Sequence, residues 1–301
     1  MSEEQEERRL TTRDFPREVL QLFDKYVHGQ LDRRGFLEGA ARFAVGGMTA
    51  AGFLEALRPR YAWARHVAPD DTAIQAEYVE YPSPQGSGTM RGYMVRPAGA
   101  TGPLPGVLVI HENRGLNPYI EDVVRRMGAA GFLALGPDAL TPLGGYPGND
   151  DDGRTMQAQL DRGTMTEDFV AGARFLMEHP DCTGQVGAVG FCFGGGMVST
   201  LAIRIPQLAA GVPFYGSQPP ADQVHLIQAP LQIHYAERDE RINAGWPAFE
   251  EALKAHGKTY EMHMYPDTDH GFHNDTTPRY DPAAARLAQE RTLQFFNQHL
   301  R

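Results

Sequence analysis

The sequence predicts an α/β protein, with a mostly parallel central sheet flanked by helices and a helical extension in front of it. Three observations carry this reading. Apolar strands and amphipathic helices alternate from about Ala76 to the C-terminus. The run Gly106-Val107-Leu108-Val109-Ile110 is continuously apolar, as a strand covered on both faces should be. The run Val186-Gly187-Ala188-Val189-Gly190 passes directly into Phe191-Cys192-Phe193-Gly194-Gly195-Gly196, a Gly-rich bend that opens a helix.

The chain divides into a helical extension over residues 1–70 and a catalytic domain over residues 71–301. Met1 to Arg9 is charged and without apolar period, so it reads as a solvated tail. From Asp14 an amphipathic helix follows, with Asp14 as cap, Pro16 early and an apolar stripe of Val19, Leu20, Leu22, Phe23 and Tyr26. A second helical segment starts near Asp32. It admits two readings. Arg33-Arg34, the mild apolar run Phe43 to Leu54 and Ala62-Trp63-Ala64 together look like a twin-arginine export signal, which would make the protein periplasmic. Glu38, Arg42 and Glu55 interrupt that pattern and suit a retained arm on a cytoplasmic protein, docked on the catalytic domain or on a second subunit as a homodimer. The apolar run is too short to span a membrane.

The catalytic domain begins after Pro69. Ala76 to Tyr81 and Met90 to Arg96 alternate around the turn Pro82 to Gly88 and form an edge hairpin. The buried strand ending at Ile110 follows, then a helix over Tyr119 to Ala130 and a strand over Phe132 to Leu135. Thr141 to Arg154 reads as a loop after a strand's carboxyl end, where ligands gather in such sheets, with Tyr146 lining a pocket. A helix over Thr166 to Glu178, the strand and helix around Cys192, and strands at Ala209 to Tyr215, Pro230 to Tyr235 and Tyr260 to Pro266 come next. A helix from Asn243 to His256 separates the last two strands, and a helix from Pro282 to His299 closes the chain.

Composition narrows the function. At 301 residues and 42% hydrophobic content the chain can bury one large core. A formal charge of -10 without a basic stripe argues against nucleic acid as partner. The two cysteines, Cys182 and Cys192, flank a straight strand and are not expected to pair.

The chemistry gathers at the bend. Gly190, Cys192 and Gly194 spell G-x-C-x-G, the nucleophile-elbow pattern with cysteine where serine is usual. A thiol at a helix start faces unpaired N–H groups and the positive end of the helix dipole, which favour thiolate. The N–H of Phe193 is then placed for an oxyanion. The alternative is a buried structural cysteine. Two later residues favour chemistry: Asp239 follows the strand ending at Tyr235, and His270 follows the strand ending near Pro266, giving the order nucleophile, acid, histidine. Asp269, adjacent to His270, diverges from it, so Asp239 is the preferred orienting acid. His111, His234 and His263 read as structural, while His273 is a candidate pocket residue. A metal site from Glu112, His270 and His273 lacks suitable spacing, so no metal is expected.

At this point the chain resembles the dienelactone hydrolase family, cysteine-dependent members of the α/β-hydrolase fold. The residues carrying the likeness are Gly190-Phe191-Cys192-Phe193-Gly194-Gly195, His111-Glu112, Asp239 and Asp269-His270-Gly271-Phe272. The resemblance implies a triad of Cys192, His270 and Asp239, no cofactor, and a small ester or lactone as substrate. It also implies a second oxyanion N–H from Asn113, and a switch role for Glu112, which would touch the resting cysteine and help deprotonate it. The structural alternative for Glu112 is a carboxylate capping nearby N–H groups. Dienelactone-cleaving members carry an arginine four residues after the histidine. Here that position is Asn274, which offers neither charge nor fork. Asn274, Arg114 and Tyr146 are therefore the candidate substrate contacts. Rival readings of Cys192 are a redox or thiol-transfer site and a silent interaction module.

Overall fold

The computed structural model describes residues 8–44 and 48–301. Its frame is one sheet of eight strands: β1 (Ile74–Ser83), β2 (Gly88–Pro97), β3 (Leu104–Ile110), β4 (Leu133–Pro137), β5 (Cys182–Phe191), β6 (Ala210–Phe214), β7 (Leu231–Ala236) and β8 (Tyr260–Tyr265). They lie in the order β1-β2-β4-β3-β5-β6-β7-β8. The expected edge hairpin is present, with Ile74 opposite Pro97 and Ser83 opposite Gly88, and β2 joins β4 antiparallel. From β4 to β8 every pairing is parallel. All their carboxyl ends therefore meet at one edge of the sheet, where the crevice for ligands forms.

Alternation within β3 shows how the two faces are filled. Val107 and Val109 enter the apolar layer beneath α4 (Pro118–Ala129) and α10 (Pro282–Leu300), with Val123, Phe295 and Phe296. Leu108 and Ile110 enter the opposite layer beneath α6 (Arg162–Glu178), α7 (Phe193–Arg204) and α9 (Trp246–Ala255), with Phe169, Leu201 and Phe249. A strand covered on both faces needs an unbroken apolar run, which Val107 to Ile110 supplies.

The extension folds into α1 (Arg17–Val27), α2 (Arg33–Ala40) and α3 (Ala50–Leu57). These share an apolar cluster of their own in which Val19, Phe23, Tyr26, Phe36, Phe53 and Leu57 are buried. Asp32 caps α2 by accepting from Gly35 N–H, and Thr49 caps α3 by accepting from Gly52 N–H. The first helix starts later than expected. Asp14 closes a capping box with Thr11 around the short turn Thr12–Asp14, and α1 begins after Pro16. Within the twin-arginine reading, Val45, Gly46 and Gly47 lie outside the described residues. In the expected solvated tail the first seven residues also lie outside them, but Arg9 is engaged: its guanidinium lies 4.6 Å from the Trp63 ring centroid and 4.7 Å from that of Tyr280.

Two elements depart from expectation. The loop expected over Thr141 to Arg154 ends in a helix, α5 (Asp150–Gln157), because Asn149 accepts from Asp152 N–H and three aspartates occupy the first turn, complementing the helix dipole. The helix expected from Asn243 to His256 is present as α9, starting at Trp246 with Pro247 in its first turn, and a short helix not expected, α8 (Glu240–Asn243), precedes it. No helix among the described residues is long and apolar enough to cross a membrane.

Candidate active site

β5 carries Cys192 to the carboxyl edge at the centre of the sheet, and the bend beyond it is tightly constrained. A Cβ on Gly190 would lie 2.2 Å from the Gly194 carbonyl oxygen, and one on Gly194 would lie 2.3 Å from that of Ile110. Neither position tolerates a side chain, because the obstacle is backbone. Cys192 itself has φ 56° and ψ -112°, a conformation that L-residues rarely hold. Its N–H donates to the Phe214 carbonyl at 3.1 Å, which pins the bend to β6. Phe193 is the first residue of α7, so its N–H has no acceptor within the helix and points with the helix dipole.

His270 follows β8 and is buried, with its ring against Tyr215 at 4.8 Å between centroids. Its Nδ1 lies 2.5 Å from Asp239 Oδ2, and Asp239 also caps α8 by accepting from Ile242 N–H. The short helix α8 thus has a use, since its start fixes the carboxylate. A ring nitrogen of His270 lies within 4.8 Å of Cys192 Sγ, and the imidazole and thiol act on each other electrostatically.

Sequence reasoning missed the imidazole nearest the sulfur. His28, at the end of α1, brings Nε2 to 3.4 Å from Cys192 Sγ, and its ring meets that of His270 edge-on at 4.7 Å. Its Nδ1 donates to the Asp24 carbonyl at 2.7 Å and lies 3.2 Å from Asp24 Oδ1. Arg241 on α8 places Nη2 3.0 Å from His28 Nε2 and 3.4 Å from His270 Nδ1. Asn113 donates from Nδ2 to the Val27 carbonyl at 2.7 Å, so the loop after β3 holds the end of α1 in place.

Electrostatics follow from this arrangement. Burial alone would raise the Cys192 thiol, but His270 and His28 outweigh it and hold the thiol well below its usual range. Burial would likewise lower His270, yet the Asp239 carboxylate and the Cys192 thiolate lift it to about 10. For His28, burial lowers and Cys192 with Asp24 raises, leaving it above the ordinary imidazole value.

The remaining expected site residues are placed differently from one another. Glu112 is buried, and burial raises its carboxyl pKa despite Arg114. Its Oε2 accepts from Asn274 Nδ2 at 3.1 Å, whereas the hydrogen bond on Cys192 comes from His28. Asn274 is 1% exposed and its Oδ1 accepts from Thr276 N–H and Oγ1, so its amide is engaged inside the protein. Arg114 is likewise turned inward, to Asp150 at 2.7 Å and Glu112 at 3.8 Å, and the Tyr146 hydroxyl donates to Asp150 at 3.0 Å. His273 packs against Phe191 and bonds with the Tyr119 hydroxyl at 2.8 Å, away from the sulfur. Cys182 sits at the opposite end of the ten-residue strand β5, about 30 Å away at the usual rise per residue, too far to pair with Cys192.

Among the described residues, the one grouping of potential metal ligands is Cys192, His28 and His270. The Arg241 guanidinium stands where an entering cation would meet His28 Nε2, so the site as arranged suits a proton better than a metal ion. A cavity of about 290 Å³ opens beside it, edged by Leu20 and Asp24 of α1, Arg241, Arg279 and His270.

Comparisons with known proteins place the family and the fold. The profile of the dienelactone hydrolase family matches residues 90–300, and a YqhI-like profile matches residues 6–45. A hydrolase fragment of Escherichia coli K12 is 57% identical over 114 residues, which cover 38% of this chain and 97% of the fragment. A candidate 2-oxo-3-(5-oxofuran-2-ylidene)propanoate lactonase of a Bradyrhizobium species is 32% identical over 222 residues, 69% of this chain and 89% of that protein. Among solved structures, one described as a dienelactone hydrolase, from Klebsiella pneumoniae, superposes with a TM-score of 0.65 at 26% identity, covering 74% of this chain and 99% of that one.

Proposed function

This chain belongs to the dienelactone hydrolase family, and from that premise we propose that it hydrolyses a small carboxylic ester or lactone with Cys192 as nucleophile and His270 and Asp239 completing the triad. The observation that carries the reading is the buried His270–Asp239 pair, 2.5 Å apart, facing a thiol on a strand-to-helix bend.

In the first half-reaction the Cys192 thiolate attacks the carbonyl carbon. A C–S bond forms, and the carbonyl electron pair moves to oxygen, where the N–H groups of Phe193 and Asn113 receive the charge. When the tetrahedral adduct collapses, its C–O bond breaks and the leaving oxygen takes a proton from the His270 imidazolium. For a lactone that oxygen stays on the same molecule. Water then adds to the thioester, giving its proton to neutral His270, and the thiolate departs as the acid is released. Asp239 holds Nδ1–H throughout, so Nε2 keeps facing the reaction. Glu112, whose carboxyl burial raises against the pull of Arg114, is held by Asn274 in the position it occupies here. The lactonase relative points to lactones among the substrates. The cavity beside His270, about 290 Å³ and lined by both acidic and basic side chains, suits a compact molecule.

Cys192→Ala tests the proposal. Hydrolysis of a short aryl ester is expected to fall by about three orders of magnitude or more, as for loss of other triad nucleophiles. Iodoacetamide should block the native protein equally. Turnover close to the native rate in the variant would remove Cys192 from the mechanism.

A further inference from the structure

We propose that His28, carried into the site by the N-terminal arm, is a catalytic residue: it is the base that takes the proton of the Cys192 thiol, so the active site is complete only with the arm docked. This rests on the reading of Cys192 as the nucleophile.

Geometry singles out His28. A base must lie within hydrogen-bond reach of the proton it removes. His28 Nε2 makes the hydrogen bond to the sulfur, at 3.4 Å, while the His270 ring, within 4.8 Å, also acts on the thiol. The second ring nitrogen of His28 is oriented as in a catalytic dyad, with Nδ1–H donated to the Asp24 carbonyl and Asp24 Oδ1 at 3.2 Å. Asp24 is in turn held by Arg241 at 3.7 Å and Arg279 at 3.7 Å. A ring that only covered the sulfur would not need its tautomer fixed from behind.

The tautomer follows from the donors. A guanidinium has no acceptor, so the Arg241 contact at 3.0 Å requires a bare lone pair on His28 Nε2. With Nδ1 carrying the proton, Nε2 has a single lone pair, so Arg241 must move off it before the thiol can donate there. The S–H bond breaks, its electron pair stays on sulfur, and the proton moves to Nε2, giving thiolate and imidazolium. Arg241, withdrawn before this transfer, has a carboxylate at hand. Asp24 Oδ2, already 3.7 Å from its Nε, can receive it. The groups facing His28 from the packed elements are Cys192 at the bend, His270 after β8, Arg241 on α8 and Asp24 on its own helix. Arg279 and the buried Glu112 stand one layer behind. The ion pair so formed agrees with a lowered thiol and a raised His28.

The test follows alkylation of Cys192 by iodoacetamide against pH in native protein, His28→Gln and Asp24→Asn, alongside ester hydrolysis. In His28→Gln the midpoint of the alkylation profile should move up by about one pH unit or more, since one unit corresponds to one lost charge interaction of ordinary size. Its kcat/KM at pH 6 should fall about 100-fold, within the usual range for a general base, and the deficit should shrink above pH 9. Asp24→Asn should shift the midpoint the same way by a smaller amount, which keeps the proposal exposed if the glutamine variant undocks the arm. Added imidazole should restore part of the rate of His28→Gly. Unmoved midpoints in both variants would overturn the proposal, as would faster hydrolysis in His28→Gln, the behaviour of a ring that merely blocks the sulfur. Alkylation is read without any substrate, so a failed triad and a failed role for His28 are distinguishable.

Discussion

Asp239 and His270 stabilise each other's charge, and the stability of the protein should record it. The imidazole is lifted to about 10, against an ordinary value of about 6.5. A group raised on folding contributes fully below its unfolded value and loses that contribution as pH rises through the folded one. Asp239 moves the other way, lowered by His270 against its burial, so its share is present above the ordinary carboxylate range and lost in acid. Asp239→Asn is therefore expected to reduce unfolding free energy at pH 6 to 8 and to converge with native protein above about pH 10, as urea titrations across pH would measure. The grouping of Cys192, Asp239 and His270 was legible in the sequence because each sits just past a strand, and parallel strands bring such positions to one edge. His28 was not legible. Gly29 after it marks a helix end with φ 72°, but a contact across 164 residues leaves no local pattern.

At the scale of elements, apolar periodicity gave α1 its buried stripe of Val19, Leu20, Phe23 and Tyr26, although Leu22 lies only at the edge of the cluster. It failed for α5, whose glycine and aspartates carry no apolar period, and where the usable signal was the cap Asn149 ahead of three acidic residues. The arm's small core suggests a direct experiment. Phe36 is fully buried and meets Phe23 edge-on at 6.2 Å and Tyr26 at 5.9 Å. Phe36→Ala should weaken that cluster by about 3–5 kcal/mol. Hydrogen exchange is expected to speed up in α1, α2 and α3 while β3 and β5 keep their protection. Equal acceleration throughout would mean that arm and sheet unfold as one unit.

For the whole molecule, the two readings of residues 33–64 are now in competition with the site. Export with cleavage after Ala64 would remove His28, Asp24 and Tyr61, whose hydroxyl bonds Asp150 beneath Arg114. Enzyme taken from its native host is accordingly expected to begin ahead of His28. Intact-mass measurement decides it, and a mature start at Arg65 would separate the working enzyme from the form described above.

Asn113, expected to offer its N–H to the oxyanion, also grips Val27 through its side chain. During synthesis the first helix leaves the ribosome long before β5, and residue 270 emerges later still. A partly made chain can therefore present the sulfur on its bend with the arm's imidazole already made and that of residue 270 still to come, so the two rings reach the thiol at different stages of synthesis.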